Sequence, residues 1–280
     1  MQNHNSKFKN NNESSFTLLE LLVVIAIIAI LAGIVIVAVS DTRERAKESK
    51  GMQFSQNIRT TLSNELVGEW KFDNTDYIDA THVKDTSGNG NTGTLVNGPT
   101  LTQGKVREAL SFNGSNHVFV ADNSKNILDV VNNNITIEMW LRMNTEKGIE
   151  RYILGKYVYL QSGYYIFMYS HEDLVSFGFH GGGSAHIVKT KNIEYKKWQH
   201  IVVTLNGNIT STYLNGEFQN SGSAPLVGSN DINLIIGGLT SVHRAGDKDI
   251  DEVRIYNRAL TAHEIKVLYA EGKMRHLADK

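Results

Sequence analysis

The chain has 280 residues, with 28 Lys plus Arg against 29 Asp plus Glu and no cysteine. Near-balanced charge excludes a general attraction to nucleic acid or acidic surfaces, and the missing thiols exclude disulfide staples and thiolate metal sites. The length allows a membrane helix plus one domain of some ~200 residues, and two prolines against 24 glycines point to many tight turns between strands.

Residues 1–15 form a polar leader carrying Lys7 and Lys9. Phe16, Thr17, Leu18, Leu19 and Glu20 follow, and residues 21–39 contain no polar side chain. A helix of about 19 apolar residues is long enough to cross a hydrocarbon core of roughly 30 Å. Glu20 sits about one helical turn inside the apolar segment, where an unpaired carboxylate is costly and calls for a partner. Two plainer readings compete. An uncleaved anchor needs only the apolar run, and a secretory signal would be cut after Ala38-Val39-Ser40. The second is opposed by the acid and by the length of the run, since signal cores span about 7 to 15 residues.

From Ser40 the sequence turns charged, with Asp41 and Arg45 at the i,i+4 spacing of a solvated helix. Ile58, Leu62 and Leu66 then recur every fourth residue and share one face. One long helix is therefore predicted over 16–66, weakened at Gly51, embedded at its start and amphipathic at its end.

The leader, the aromatic Phe16, Glu20 four positions later and the long apolar helix together resemble the processing segment of type IV prepilins and pseudopilins. The resemblance implies that a prepilin peptidase cuts between Ser15 and Phe16 and methylates the new Phe16 amine; Ser15 stands where the family usually has glycine. It also implies that Glu20 meets the N-terminal amine of a neighbouring pilin subunit during assembly. Such an ammonium would neutralise the carboxylate and fix the axial stagger. The implied location is the bacterial inner membrane before assembly, then the cell surface or a filament with the C-terminal domain outside.

Beyond the helix, residues 66–73 alternate apolar and polar side chains, and 85–93 form a turn-rich loop. Further strands are predicted at 109–112, 117–121, 135–143, 152–156, 164–169, 174–180, 185–189, 198–206, 210–214, 217–219, 232–236 and 249–256. Asn215-Gly216 between two of them signals a hairpin, because both residues tolerate positive φ. About twelve short strands without intervening helices predict an all-β two-sheet jelly-roll sandwich. Thr261 and Glu264 have capping-box spacing, Ile265, Val267 and Leu268 supply an apolar side, and Gly272 is placed to stop a short C-terminal helix. The predicted organisation is leader 1–15, membrane and amphipathic α-helix 16–66, jelly roll 67–270 and a loose tail 271–280.

The sandwich residues resemble laminin G-like, concanavalin A-like domains over roughly 66–269. The resemblance is carried by Gly68-Glu69-Trp70-Lys71-Phe72-Asp73, Asp85-Thr86-Ser87-Gly88-Asn89-Gly90, Ala109-Leu110-Ser111-Phe112-Asn113-Gly114, Ile135-Thr136-Ile137-Glu138-Met139-Trp140, Trp198-Gln199-His200-Ile201, Tyr213-Leu214-Asn215-Gly216 and Ile250-Asp251-Glu252-Val253-Arg254-Ile255-Tyr256. His117 stands where the pattern often has Asp. Related domains commonly bind Ca²⁺, a hard cation that takes carboxylate and carbonyl oxygens. The residues named for such a site are Asp85 and Asp251, with Asp73 and Asn89 behind them. The competing reading has Asp85 capping a turn and Asp251 pairing with Arg254 or Arg258.

Catalysis is not expected. Retaining glycosidases need two carboxyls about 5–5.5 Å apart, and Glu138 has no acid at i+2 or i+4 on its strand face. His200 reads as a buried, hydrogen-bonded residue, and no Ser/His/Asp order, phosphate loop or zinc spacing is present. Tyr152, Tyr157, Tyr159, Tyr164, Tyr165, Phe167 and Tyr169 form an aromatic stretch beside His180-Gly181-Gly182-Gly183-Ser184, suited to glycan or protein contact or to plain sandwich filling. The expected function is a pilin-like or pseudopilin-like surface subunit displaying a jelly roll for adhesion. The alternatives are a minor pseudopilin of a type II secretion or DNA-uptake machine, and a membrane-anchored glycan-active enzyme.

Overall fold

The computed structural model describes residues 17–122, 126–145, 148, 150–158, 162–238 and 246–278. They belong to two compact units, Met1–Gly51 and Met52–Lys280, and the division falls within helix α1, Leu18–Leu62. In the first unit Thr17 opens the helix through a reciprocal capping box. Glu20 Oε2 accepts from the Thr17 N–H at 2.8 Å and from its hydroxyl at 2.9 Å, while the Thr17 hydroxyl oxygen accepts from the Glu20 N–H at 3.3 Å. That satisfies donors which a helix start leaves open. Every described side chain from Leu18 to Gly33 is exposed, with Leu18 at 81%. Among the described residues no helix is long and apolar enough to cross a membrane; the described side chains of the apolar run stop at Gly33, and the sequence continues it to Val39. The expected Asp41–Arg45 pair falls on side chains outside the described set.

Helix α1 passes through Gly51 without a break and ends at Leu62, four residues short of expectation. Leu66 is drawn instead into a strand against Tyr256. The fourfold face nevertheless forms, since Ile58, Leu62 and Leu66 pack in one cluster.

The second unit contains strands β1 (Leu66–Trp70), β2 (Tyr77–Asp79), β3 (His82–Val83), β4 (Gly93–Val96), β5 (Thr100–Gln103), β6 (Glu108–Phe112), β7 (His117–Val120), β8 (Asn134–Met143) and β9 (Arg151–Lys156). It continues through β10 (Gly163–Met168), β11 (Leu174–Gly181), β12 (Ser184–Asn192), β13 (Gln199–Asn206), β14 (Ile209–Leu214), β15 (Glu217–Ser223), β16 (Leu234–Ile236) and β17 (Lys248–Tyr256), then helix α2 (Ala262–Ala278). One sheet has eight strands in the order β15-β14-β13-β8-β17-β6-β5, with β1 beside β17. The other has nine, in the order β12-β11-β10-β9-β16-β7-β4-β3-β2. The predicted all-β sandwich is what forms.

Period-two alternation builds the core between the sheets. On β10, Tyr164, Ile166 and Met168 face inward and share the core with Ile137, Met139 and Phe177, while Tyr165 and Phe167 face outward. The Asn215-Gly216 hairpin forms with φ of 53° and 78°. On the eight-stranded sheet, Ile265 and Leu268 of α2 and Leu62 of α1 pack on Val202, Tyr213 and Tyr256, each fully buried aliphatic side chain stabilising by about 1.5–3 kcal/mol.

Two expectations are corrected. Strands β2 to β5 were not foreseen, because they are two to four residues long and lie among turn-forming residues with little alternation. Residues 271–278 are not a loose tail: α2 runs over Gly272 to Ala278. A Cβ at Gly272 would lie 2.6–2.9 Å from the Trp140 ring, so this glycine admits the indole against the helix rather than ending it. The Thr261–Glu264 capping box does form, with the Thr261 N–H donating to Glu264 Oε2 at 2.7 Å and the Glu264 N–H to the Thr261 hydroxyl at 3.3 Å.

Candidate functional site

Asp85 organises a loop. Its Oδ1 accepts from the N–H of Glu69 at 3.0 Å and of Ser87 at 2.9 Å, and its Oδ2 accepts from the backbone and side-chain N–H groups of Asn91, both at 2.9 Å. Both oxygens are therefore saturated by donors. The Asn89 side chain donates to the Leu66 carbonyl at 3.0 Å in the same loop.

Asp251 serves a different element. Strand β17 shifts register after Asp251, with Glu252 at φ 51°. Before this bulge β17 pairs with β6, and after it with β1. Asp251 Oδ2 accepts from the Lys105 and Val106 N–H groups at 2.8 and 2.9 Å, tying the turn before β6 to the bulge. Burial, then Glu252, pushes the Asp251 carboxyl well above the usual range. Asp73 is pushed up to about 6, by burial first and then by Glu252. Asp251 pairs with neither Arg254 nor Arg258, and its Oδ1 has no hydrogen-bond partner.

Asp85 and Asp251 are thus each bonded to their own stretch of backbone. Both Asp85 oxygens accept from N–H donors, whereas Asp251 keeps one carboxylate oxygen, Oδ1, free of hydrogen bonds. Among the described residues no group of three or more His, Asp or Glu is arranged to hold a metal.

Glu138, the acid weighed for catalysis, lies on the outer side of the eight-stranded sheet in an ionic network with Glu69 and Glu252. Arg254 donates from Nε to Glu69 at 2.7 Å, from Nη1 to Glu138 at 2.6 Å and from Nη2 to Glu252. Arg275 of α2 also reaches Glu252, at 3.0 Å. His200 is buried as expected, with Nε2 3.4 Å from Glu138 Oε2 and its ring 5.2 Å from that of Trp140. Burial alone would raise Glu69, but Arg254, then Lys71 and a hydrogen bond from Thr86, outweigh it and bring it to about 2. Glu138 is likewise held below its ordinary value against burial by Arg254 and His200. Carboxylates locked in this state brace the sheet and are poor general acids.

The outer side of the nine-stranded sheet carries rings instead. Tyr165 and Phe167 of β10 lie 5.4 Å apart, Tyr152 of β9 stacks on Phe167 at 5.7 Å, and Tyr157 packs on Tyr165 at 4.5 Å. Tyr169 meets Phe167 edge-on at 4.7 Å, His171 extends the row, and His180 adjoins Tyr157. Tyr165 lies flat over Gly178 of β11, where a Cβ would come within 2.2 Å of the ring. Lys189 sits 4.8 Å over the Tyr169 ring while bonding Glu172 at 2.7 and 2.8 Å.

Phe167 is buried, whereas Tyr152 and Tyr169 are half-buried and His171 is largely exposed. Burial raises Tyr165 above the ordinary phenol range, so its hydroxyl remains protonated. The row is an apolar strip with hydroxyl and imidazole edges, in which Tyr157, Tyr165 and Phe167 are buried against one another. Of the aromatic residues named from sequence, Tyr164 belongs to the core, with its hydroxyl donating to the Leu128 carbonyl at 2.8 Å. Tyr159 lies outside the described residues, as do Ser15 and Phe16. The glycine stretch is a hairpin turn, with φ of 58° and 82° at Gly182 and Gly183. Sequence reading missed His171 as a continuation of the row, although it follows Tyr169 at strand spacing.

Solved structures with this architecture include the binding domain of Paraclostridial Mosquitocidal Protein 1, at TM-score 0.63 and 20% identity, covering 75% of this chain and 53% of that one. The botulinum neurotoxin serotype D binding domain matches at TM-score 0.60 and 13% identity, covering 76% and 52%. At these identities the likeness is one of fold, and the chain spans about half the length of the structures it matches. The prokaryotic N-terminal methylation motif matches residues 10–36, around Ser15, Phe16 and Glu20. The model for the concanavalin A-like lectin/glucanases superfamily matches residues 112–266, more than half of the chain, and the chain belongs to that family.

Proposed function

We propose that this chain is a non-catalytic, pilin-like surface subunit whose sandwich adheres to glycans or to other surface proteins. The observation that carries the reading is one chain joining an N-terminal methylation motif to a sandwich with an aromatic row on an outer sheet face. In this reading the apolar part of α1 holds the precursor in the membrane, prepilin peptidase releases Phe16, and the helix then packs among other pilin subunits. Glu20 exchanges its capping contacts with Thr17 for a neighbouring subunit's ammonium. Pairing of Glu69 and Glu138 with Arg254 supports a structural role for these acids.

Mass spectrometry of the mature N-terminus provides the first test: methylated Phe16 is expected, and a start at Asp41 would overturn the assembly role. Glu20→Ala should insert normally yet leave surface filaments strongly reduced, and unimpaired filaments would remove its proposed part. Mature protein confined to the envelope, with no surface filaments containing it, would favour the pseudopilin alternative. A glycan array probed with wild type and Tyr169→Ala checks the strip; equal binding by both would place adhesion elsewhere.

A further inference from the structure

Lys156 ends β9 with none of its side chain exposed. A buried ammonium needs close compensation, and this one has a full shell. Its Nζ donates to Asp122 Oδ1, Asn230 Oδ1 and the Asn230 carbonyl at 2.9 Å and to the Ile232 carbonyl at 2.7 Å, and Asp129 Oδ1 is also 2.9 Å away. An ammonium has three N–H groups, so five oxygens exceed what hydrogen bonding requires. Two carboxylates, one amide oxygen and two backbone carbonyls are the donor set of a hard cation.

The shell is held by bonds that do not involve Nζ. The Asn230 N–H donates to Asp129 Oδ2 at 3.2 Å, the Ile232 N–H to Asn230 Oδ1 at 2.9 Å, the Asp122 N–H to Asn233 Oδ1 at 2.8 Å, and Asn230 Nδ2 to the Ser162 carbonyl at 2.8 Å. These residues come from the segment between β7 and β8 and from the approach to β16, so the cage knots one rim of the nine-stranded sheet. Two carboxylates and one ammonium leave it one negative charge in excess, which a divalent ion in place of the ammonium would cancel.

We infer that this rim is built as a divalent-cation site whose cation is supplied by the chain itself. With Nζ in place the rim stands without metal; with Nζ removed, the same oxygens close by a few tenths of an ångström onto Ca²⁺, whose ligands lie at about 2.3–2.6 Å. Mg²⁺ is excluded by its demand for octahedral geometry near 2.0–2.1 Å.

The test uses the full chain in detergent, with Lys156→Ala refolded in chelator, in millimolar CaCl₂ or in millimolar MgCl₂, and followed by thermal unfolding and calorimetric titration. Lys156→Ala is expected to melt below wild type in chelator, to regain most of the loss in CaCl₂ alone, and to bind Ca²⁺ with Kd on the order of 10⁻⁴ M. Adding Asp122→Asn should abolish that gain. The inference is overturned if Lys156→Ala responds to Ca²⁺ no more than wild type does, if the response survives Asp122→Asn, if Mg²⁺ serves equally, or if the variant stays unfolded in CaCl₂ as in chelator.

Discussion

On the eight-stranded sheet the outer face disappears beneath α2 and the last turn of α1, and the charges it carries are matched group by group around Arg254. On the nine-stranded sheet the outer face is surfaced by its own rings, two of them half-buried at the margins. Helical cover removes water, so every charge beneath it must find a partner. An aromatic surface needs no such pairing: Tyr157, Tyr165 and Phe167 are buried against one another, and Tyr152 and Tyr169 are half-buried at the margins. The first arrangement braces the sheet, and the second is the one that the proposed adhesive role calls on.

Arg254→Ala should break the braced face most severely. It strips Glu69 and Glu138 of their shared cation while both stay buried, with an expected loss of about 3–5 kcal/mol in chemical denaturation. Phe167→Ala should cost somewhat less, about 2–4 kcal/mol, because the ring packs on only one side of a sheet. Tyr169→Ala, at the half-buried end of the same strip, should cost about 1 kcal/mol or less. Equal losses at Phe167 and Tyr169 would show that the strip is ordinary core.

Gly272→Ala should cost about 1–3 kcal/mol, since its Cβ must displace Trp140 or lift α2. An unchanged melting temperature there would mean that the helix is not seated as tightly as the Trp140–Tyr269 stack at 5.6 Å implies.

Lys248 offers a gain of comparable size. Burial drives it down to about 7 from 10.5, with Asp247 opposing. Because its folded value lies below its unfolded one, stability is lost as pH falls from about 10.5 to 7 and changes no further below that. Lys248→Met should therefore raise stability at neutral pH by about 1–3 kcal/mol and flatten the alkaline limb of the profile. Asp73 runs the other way. Its folded value of about 6 exceeds the ordinary 3.8, so stability falls as pH rises across that window, and Asp73→Asn should remove the slope. Melting curves between pH 4 and pH 10, approximately, read both residues.

Much of this was legible in the sequence where the cause is local. The Asn215-Gly216 turn, the Thr261–Glu264 cap and the alternation along β8 and β13 need only near neighbours, and each is where its spacing puts it. Gly272 was misread because a glycine near a helix end normally terminates it, and the indole that explains it stands more than a hundred residues earlier in the chain. The partners of Asp251 were hidden for a similar reason, being backbone N–H groups of Lys105 and Val106. The Lys156 cage is the extreme case. Its oxygens come from Asp122, Asp129, Asn230 and Ile232, and no spacing links them. Period-two alternation did divide Tyr164 from Tyr165, although composition alone grouped them.

The junction at β1 has a mechanical side. Leu66–Trp70 leads from α1 into the sandwich, and it does so as a strand bonded antiparallel along β17, with Leu66 opposite Tyr256 and Trp70 opposite Val253. Ladder hydrogen bonds stand perpendicular to the strands they join. Tension arriving through α1 and running along β1 therefore strains those bonds together instead of peeling them off singly. In the surface-subunit role proposed above, such a junction would resist dragging flow better than the same few hydrogen bonds would in a zipper.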